Sequence, residues 1–76
     1  MPKLPAITGK QALKALTKLG FLVLRQKGSH VILQNPISNR MTVVPMHAGK
    51  TIKKPLLKTI VEKDAGLSME EFLEKL

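Results

Sequence analysis

Cysteine, tryptophan and tyrosine are all missing from this sequence, and phenylalanine occurs only twice. Without cysteine the chain has neither a disulfide nor a thiolate metal site, so its fold depends on an apolar core. A chain of 76 residues makes one small domain, and a core of that size rarely supplies more than about 3–5 kcal/mol. We therefore predict a single domain over residues 1–76, with extra stability from a partner or from self-association.

Long apolar runs are also missing. No run approaches the roughly 18 residues that span a bilayer, and the N-terminus has no apolar signal-peptide segment. The lack of cysteine is compatible with a reducing compartment. A cytoplasmic protein is therefore the expectation.

Acidic residues are absent from positions 1–61, which hold eleven lysines and arginines. Residues 62–76 hold five acids and two lysines, and the formal net charge is +8. Basic side chains without acidic neighbours produce a field of one sign, which attracts polyanions and favours nucleic acid through counterion release. We predict a nucleic acid or an acidic protein as the partner. The plainer interpretation is a surface that lysine keeps soluble.

Two helix starts are signalled by capping boxes. Thr8 with Gln11 precedes apolar residues at helical spacing, and Gly20 follows them where a helix commonly ends. Ser68 with Glu71 opens a short last helix. The sequence therefore predicts a helix near each end.

The middle of the sequence predicts three strands and a further helix. Residues 21–26, 29–35 and 40–45 read as strands separated by short turns, which makes them antiparallel neighbours. The next helix begins near Pro55 and stops at Gly66. The predicted fold is α+β in the order α-β-β-β-α, with both helices on one sheet face and a short C-terminal helix. This is the layout of a double-stranded-RNA-binding domain, although many small domains share the order.

His30 lies at the start of the second strand, directly after a glycine and a serine. Strand alternation places Val31 and Leu33 on the buried side and His30 on the accessible side. Gly28 has no side chain, so a ligand backbone can approach closely. A surface histidine next to a hairpin is the plainer interpretation.

His47 follows the third strand, and Gly49 and Lys50 come next in a loop that leads to a helix N-terminus, where a phosphate is favoured. Two histidines in basic surroundings can serve as acid and base in phosphodiester cleavage. A loop histidine without a role is the plainer interpretation. A metal site is not expected, because the two histidines are the only ligands before residue 62.

Three stretches, LTKLGFLVLRQKGSHVILQN, MTVVPMHAGKTIKKPLLKTI and AGLSMEEF, resemble the HicA toxins, also called YcfA-like proteins. The resemblance covers residues 8–72 and rests on LGF, GSH, a PxHxGK-like loop and the last segment. It implies a fold similar to a double-stranded-RNA-binding domain, cleavage of mRNA without a metal, and inhibition by a HicB-type antitoxin. The family's catalytic histidine, in GSH, corresponds to His30. Where this chain has Pro55 and Leu56, members often have a Gly-Thr pair.

We therefore predict a HicA-like toxin of a type II toxin–antitoxin system, with RNA and an acidic HicB-type antitoxin as partners and no cofactor. His30 is the predicted general acid or base. The predicted RNA-binding or auxiliary residues are Lys27, Gly28, Ser29, His47 and Lys50. The alternatives are an RNA-binding module of the same fold without catalysis, and an interaction protein for an acidic partner.

Overall fold

A computed structural model describes residues 5–47 and 49–76 of the chain. The elements follow in the predicted order, and a π-helical segment continues α2 directly. Their bounds are α1 Gly9–Lys18, β1 Leu22–Lys27, β2 His30–Asn35, β3 Arg40–Pro45, α2 Lys54–Lys58, the π segment Thr59–Asp64 and α3 Met69–Glu74. The α+β fold with a three-stranded antiparallel sheet is confirmed.

Helix α1 begins and ends where its sequence predicts. The Thr8 hydroxyl accepts a hydrogen bond from the Gln11 backbone N–H at 3.2 Å, and the Gln11 side chain accepts one from the Thr8 N–H at 2.9 Å. This reciprocal pair satisfies N–H groups that have no partner within the helix. After the helix Gly20 has a φ of 100°, which a glycine adopts without steric cost.

The sheet has the order β1-β2-β3, with both pairs of strands antiparallel. Strand β1 is displaced by one residue from the predicted range, because the Phe21 N–H donates to the Leu16 carbonyl at 3.0 Å and so belongs to the end of α1. An irregularity in its pairing with β2 lies between Val23 and Arg25. Such a bulge adds one residue to a strand, and the periodicity of the sequence does not reveal it.

The core lies between the helices and one face of the sheet. Val31 and Leu33 point into it from the central strand, as predicted. Both phenylalanines are also fully buried, so they build the core. The buried apolar residues are Ile7, Ala12, Ala15, Leu16, Phe21, Val31, Leu33, Val44, Ile52, Leu57, Ile60, Val61, Ala65 and Phe72.

The second helical region differs from the regular helix that the sequence predicts. Pro55 lies in the first turn of α2, as predicted, but the helix becomes π-helical from Thr59. The Ala65 N–H donates to the Ile60 carbonyl at 3.0 Å, a bond between residues five apart. Wider turns of this kind occur mostly as short inserts within α-helices. Here the insert presents Ile60 and Val61 to the core.

The last helix begins with its predicted capping box. The Ser68 hydroxyl accepts from the Glu71 N–H at 3.1 Å, and the Glu71 carboxylate accepts from the Ser68 N–H at 2.9 Å. Phe72 anchors this helix in the core. Within residues 5–47 and 49–76, no helix combines the length and apolar character required to cross a membrane.

Candidate functional site

The hairpin between β1 and β2 fixes the position of His30. Its loop consists of Gly28 and Ser29, so Lys27 and His30 are direct cross-strand partners. Gly28 has a φ of 60°, and no heavy atom lies within 4 Å of the place its side chain would occupy. The left-handed backbone of the turn therefore favours glycine, and the space beside it is open. The Gln26 side-chain nitrogen donates to the Gly28 carbonyl at 3.1 Å and supports this geometry.

His30 lies on the face of the sheet that the helices leave uncovered. Its side chain is exposed, whereas Val31 is only 3% exposed and Leu33 is fully buried. The predicted orientation is thereby confirmed. Directly opposite partners in an antiparallel pair have Cβ atoms about 4.5–5.5 Å apart on the same face. Lys27 on one side and Pro45 on the other therefore flank His30.

The loop after β3 brings the second histidine to the same end of the sheet. The Met46 N–H donates to the Ser29 carbonyl, which ties this loop to the β1–β2 hairpin. The Lys50 N–H donates to the His47 carbonyl at 3.0 Å and folds the loop back on itself. Two segments separated by more than fifteen residues of sequence thus converge beside His30.

One cleft unites His30, His47 and Lys50. Its volume is about 350 Å³. Its lining residues are His30, Pro45, His47, Lys50, Thr51, Ile52, Lys53 and Leu56. Lys27, Gly28 and Ser29 are not among them, since they form the hairpin next to the cleft. Sequence reasoning missed Lys53, whose only signal was its place in the basic run that follows His47.

A second cleft of about 440 Å³ lies on the other side of His47. It is lined by Thr8, Lys10, Met46, His47 and Gly49. Because His47 lines both clefts, they form neighbouring parts of one surface that extends from His30 to the start of α1. The basic side chain of Lys10, predicted only as part of a helix stripe, therefore belongs to the site.

Gly9 determines how closely α1 approaches this surface. It is buried in the first turn of the helix, and a Cβ atom there would overlap the Pro45 carbonyl oxygen. The start of α1 thus packs directly on the end of β3, and Lys10 lies beside His47 as a result. Sequence reasoning missed Gly9 too. Its only signal was a glycine at a helical position where alanine would be intrinsically better.

The charge of the site is entirely positive. Among the described residues, none that lines either cleft is acidic, and each of Lys10, Lys50 and Lys53 is exposed. At the helix start, where the sequence predicts a phosphate site, Pro55 offers no N–H, so one backbone donor is lost there. The lysine side chains are therefore the main groups available to an anion.

Acidic and histidine side chains do not cluster in the described structure. Within residues 5–47 and 49–76, no group of three His, Cys, Asp or Glu side chains is arranged to hold a metal ion. Imidazole is the side chain whose unperturbed charge change falls between pH 5 and 8.

One protein-family model matches this chain over most of its length. The family model described as "HicA toxin of bacterial toxin-antitoxin" matches residues 9–67, well over half of the sequence. The matched range contains α1, the whole sheet, both histidines and the π segment. No curated protein sequence matches the chain significantly. The resemblance that the GSH and PxHxGK-like motifs predicted is confirmed, and the chain belongs to the HicA family of bacterial toxin–antitoxin toxins.

Proposed function

We propose that this toxin is a metal-independent endoribonuclease that cleaves mRNA, with His30 as general acid or base. The observation that carries the proposal is the cleft that unites His30, His47 and Lys50. It brings two proton-exchanging side chains and a cation together at an exposed surface. A basic surface alone supports binding of RNA, whereas two imidazoles in one cleft also support its cleavage.

The reaction requires two proton transfers. A base removes the proton of a ribose 2′-OH, and the resulting oxygen attacks the adjacent phosphorus. The bond from phosphorus to the 5′ oxygen breaks, and an acid protonates that leaving oxygen. His30 performs one of these transfers and His47 is the candidate for the other, because both line the cleft in which the phosphate would lie. Neither step consumes a cofactor.

Lys27 and Lys50 are proposed to stabilise the negative charge that develops on the phosphate. Lys50 lines the cleft, and Lys27 flanks His30 across the hairpin. The open space at Gly28 admits the RNA backbone next to the hairpin, where Ser29 can donate a hydrogen bond to it. These roles agree with an exposed, wholly basic site.

Recognition of RNA is expected to depend on phosphates more than on bases. Sequence-specific binding of single-stranded RNA commonly stacks bases on aromatic side chains. The chain has no tryptophan or tyrosine, and both phenylalanines, Phe21 and Phe72, are fully buried. The toxin should therefore have a weak sequence preference.

The partner that restrains the toxin is proposed to be an acidic antitoxin of the HicB type. A toxin of a toxin–antitoxin system requires a cognate antitoxin, and a chain with a net charge of +8 is complementary to an acidic one. We assign the whole chain, residues 1–76, to one HicA-like domain that acts in the cytoplasm, where mRNA is found.

A cleavage assay with purified protein tests the catalytic role. His30→Ala should keep the parent's circular dichroism spectrum, since replacement of an exposed side chain typically changes the free energy of unfolding by no more than about 0.5 kcal/mol. It should also keep the parent's RNA affinity. Its cleavage rate should fall about a hundredfold to ten-thousandfold, the usual contribution of a general acid or base. Excess EDTA should leave the parent's rate unchanged.

His47→Ala is the companion variant, because it removes the other imidazole of the cleft. We expect a smaller loss of rate than for His30→Ala. If His30→Ala cleaves RNA as fast as the parent, His30 has no catalytic role. If the parent binds RNA without cleaving it, the alternative of a non-catalytic RNA-binding module replaces the proposal.

A further inference from the structure

The sheet has an open face, opposite the helices, that is built from three rows of cross-strand partners. Val31, Leu33 and Val44 point into the core, so their neighbours along the strands point away from it. The rows of the open face are Lys27–His30–Pro45, Arg25–Ile32–Val43 and Leu22–Gln34–Met41. The first row belongs to the proposed active site, and the other two have no role in it.

The second and third rows contain an apolar strip, defined as Leu22, Ile32, Met41 and Val43. Leu22 is 60% exposed, Met41 50% and Val43 40%, and Ile32 is half-buried between them. These residues come from all three strands: Ile32 pairs directly with Val43, Met41 is the next outward residue along β3, and Leu22 lies in the third row on the other side of Gln34. Contiguous exposed apolar surface on a small protein marks an interaction site more often than isolated apolar residues do.

The charges around the strip indicate what covers it. Arg25 and Lys27 lie on the same open face, and the first 61 residues contain no acid. A second copy of this chain would bring the same positive charges to the interface. RNA is also a poor occupant, because aliphatic side chains offer no aromatic surface for stacking bases and cannot pair with phosphates. An acidic protein with an apolar contact surface is complementary in both respects.

We propose that the apolar strip is the docking surface for the acidic antitoxin, an inference that rests on the proposed function. The strip also explains how binding would silence the enzyme. His30 and Gln34 are four residues apart on β2, which is about 13 Å at the usual rise per residue. A protein anchored on the second and third rows therefore reaches over the first row and covers His30.

The edge of the sheet enlarges this surface. Strand β1 is an edge strand, and all six of its residues are exposed. A specific interface usually buries about 800 Å² on each partner, which is more than four side chains provide. The exposed edge beside Leu22 lets the antitoxin extend its contact to the backbone of β1, as proteins that add a strand to a sheet do.

Substitution within the strip separates docking from catalysis. Met41→Glu places a carboxylate in the third row, far from His30, where it would face the acidic antitoxin and require desolvation. We expect the Kd for the cognate antitoxin to rise at least tenfold. RNA cleavage by the free toxin should stay within about twofold of the parent. Leu22→Glu makes the same change on the edge strand, and it replaces Met41→Glu in the test if that variant fails to fold.

Ile37→Glu is the matched control. Ile37 is 93% exposed but lies in the turn between β2 and β3, outside the apolar strip. The same chemical change there should leave antitoxin affinity and RNA cleavage as in the parent. Affinity can be measured by isothermal titration calorimetry, with circular dichroism as the check on folding.

Three results would overturn the docking surface. The first is that folded Met41→Glu and Leu22→Glu variants bind the antitoxin as tightly as the parent does. The second is that a folded variant loses RNA cleavage, which would assign the strip to RNA. The third is that the parent alone is a dimer that Met41→Glu dissociates, which would assign the strip to self-association. Failure of the proposed ribonuclease function gives a different result from failure of the docking surface. In that case the parent does not cleave RNA, but the variants still lose affinity for the antitoxin.

Discussion

At the residue scale, Gly9 connects the core to the proposed active site. It sits where the first turn of α1 meets the Pro45 carbonyl, with the Met46 sulfur close by. Any side chain at this position would push the helix away from the end of β3. Because Lys10 follows directly, such a shift would also move a basic group of the second cleft.

Gly9→Ala should therefore destabilise the protein although alanine is the better helix former. The helical preference for alanine is worth about 0.5–1 kcal/mol. Overpacking against rigid backbone typically costs about 1–3 kcal/mol, so we expect a net loss in the free energy of unfolding. Urea denaturation followed by circular dichroism measures it.

Gly28→Ala provides the comparison for that experiment, because its added methyl group meets open space. Any decrease in its free energy of unfolding therefore comes from the left-handed backbone alone. We expect this substitution to destabilise the protein without moving α1. A Gly9→Ala protein that is more stable than the parent would show that the contact with Pro45 relaxes easily.

At the element scale, α1 carries a basic stripe of which only one end reaches the site. Lys10, Lys14 and Lys18 are four residues apart and all exposed, so they follow one side of the helix. Only Lys10 lines a described cleft. The stripe is thus a solvated helix face along most of its length, and a candidate phosphate contact at its start.

Lys10→Ala should weaken RNA binding several-fold, whereas Lys18→Ala should leave the affinity as in the parent. The two substitutions remove the same charge from the same helix, so the difference reports the position of the charge and not its amount. Fluorescence anisotropy with a short single-stranded RNA, on a His30→Ala background that prevents cleavage, gives both affinities. Equal losses would mean that the helix acts only through its net charge.

At the scale of the whole molecule, positive and negative charges are separated along the chain. All five acids lie in residues 62–76, which include the end of the π segment and α3. The sheet and both described clefts contain none. The molecule therefore presents a basic region to polyanions, and its few acids lie in the helices that close the core.

RNA affinity should consequently fall steeply with salt. Each phosphate contact on a single strand contributes a log–log slope of about −0.7, so contacts by Lys10, Lys27, Lys50 and Lys53 together predict about −3. Titration of the cleavage-inactive His30→Ala protein between low and moderate salt measures this slope. A slope near zero would remove the electrostatic basis for RNA binding.

The sequence by itself determined the elements and the face on which His30 lies. Capping boxes at Thr8 and Ser68 and the alternation of Val31 and Leu33 are local patterns, because each depends on residues close together in the chain. Short motifs, above all GSH and the PxHxGK-like loop, also indicated the family. The π segment and the bulge in β1 were missed, because each inserts a single residue, and in β1 the run 22–24 is apolar throughout, so no alternation marks the extra residue.

Only the tertiary structure decided which residues share the site. His30 and His47 line one cleft because β3 pairs with β2 in a register that sets Pro45 opposite His30. Lys10 joins them because Gly9 lets α1 pack directly on that strand end. The apolar strip likewise exists only once three strands align their outward residues. Strand register and helix packing are contacts between residues distant in sequence, and no local pattern encodes them.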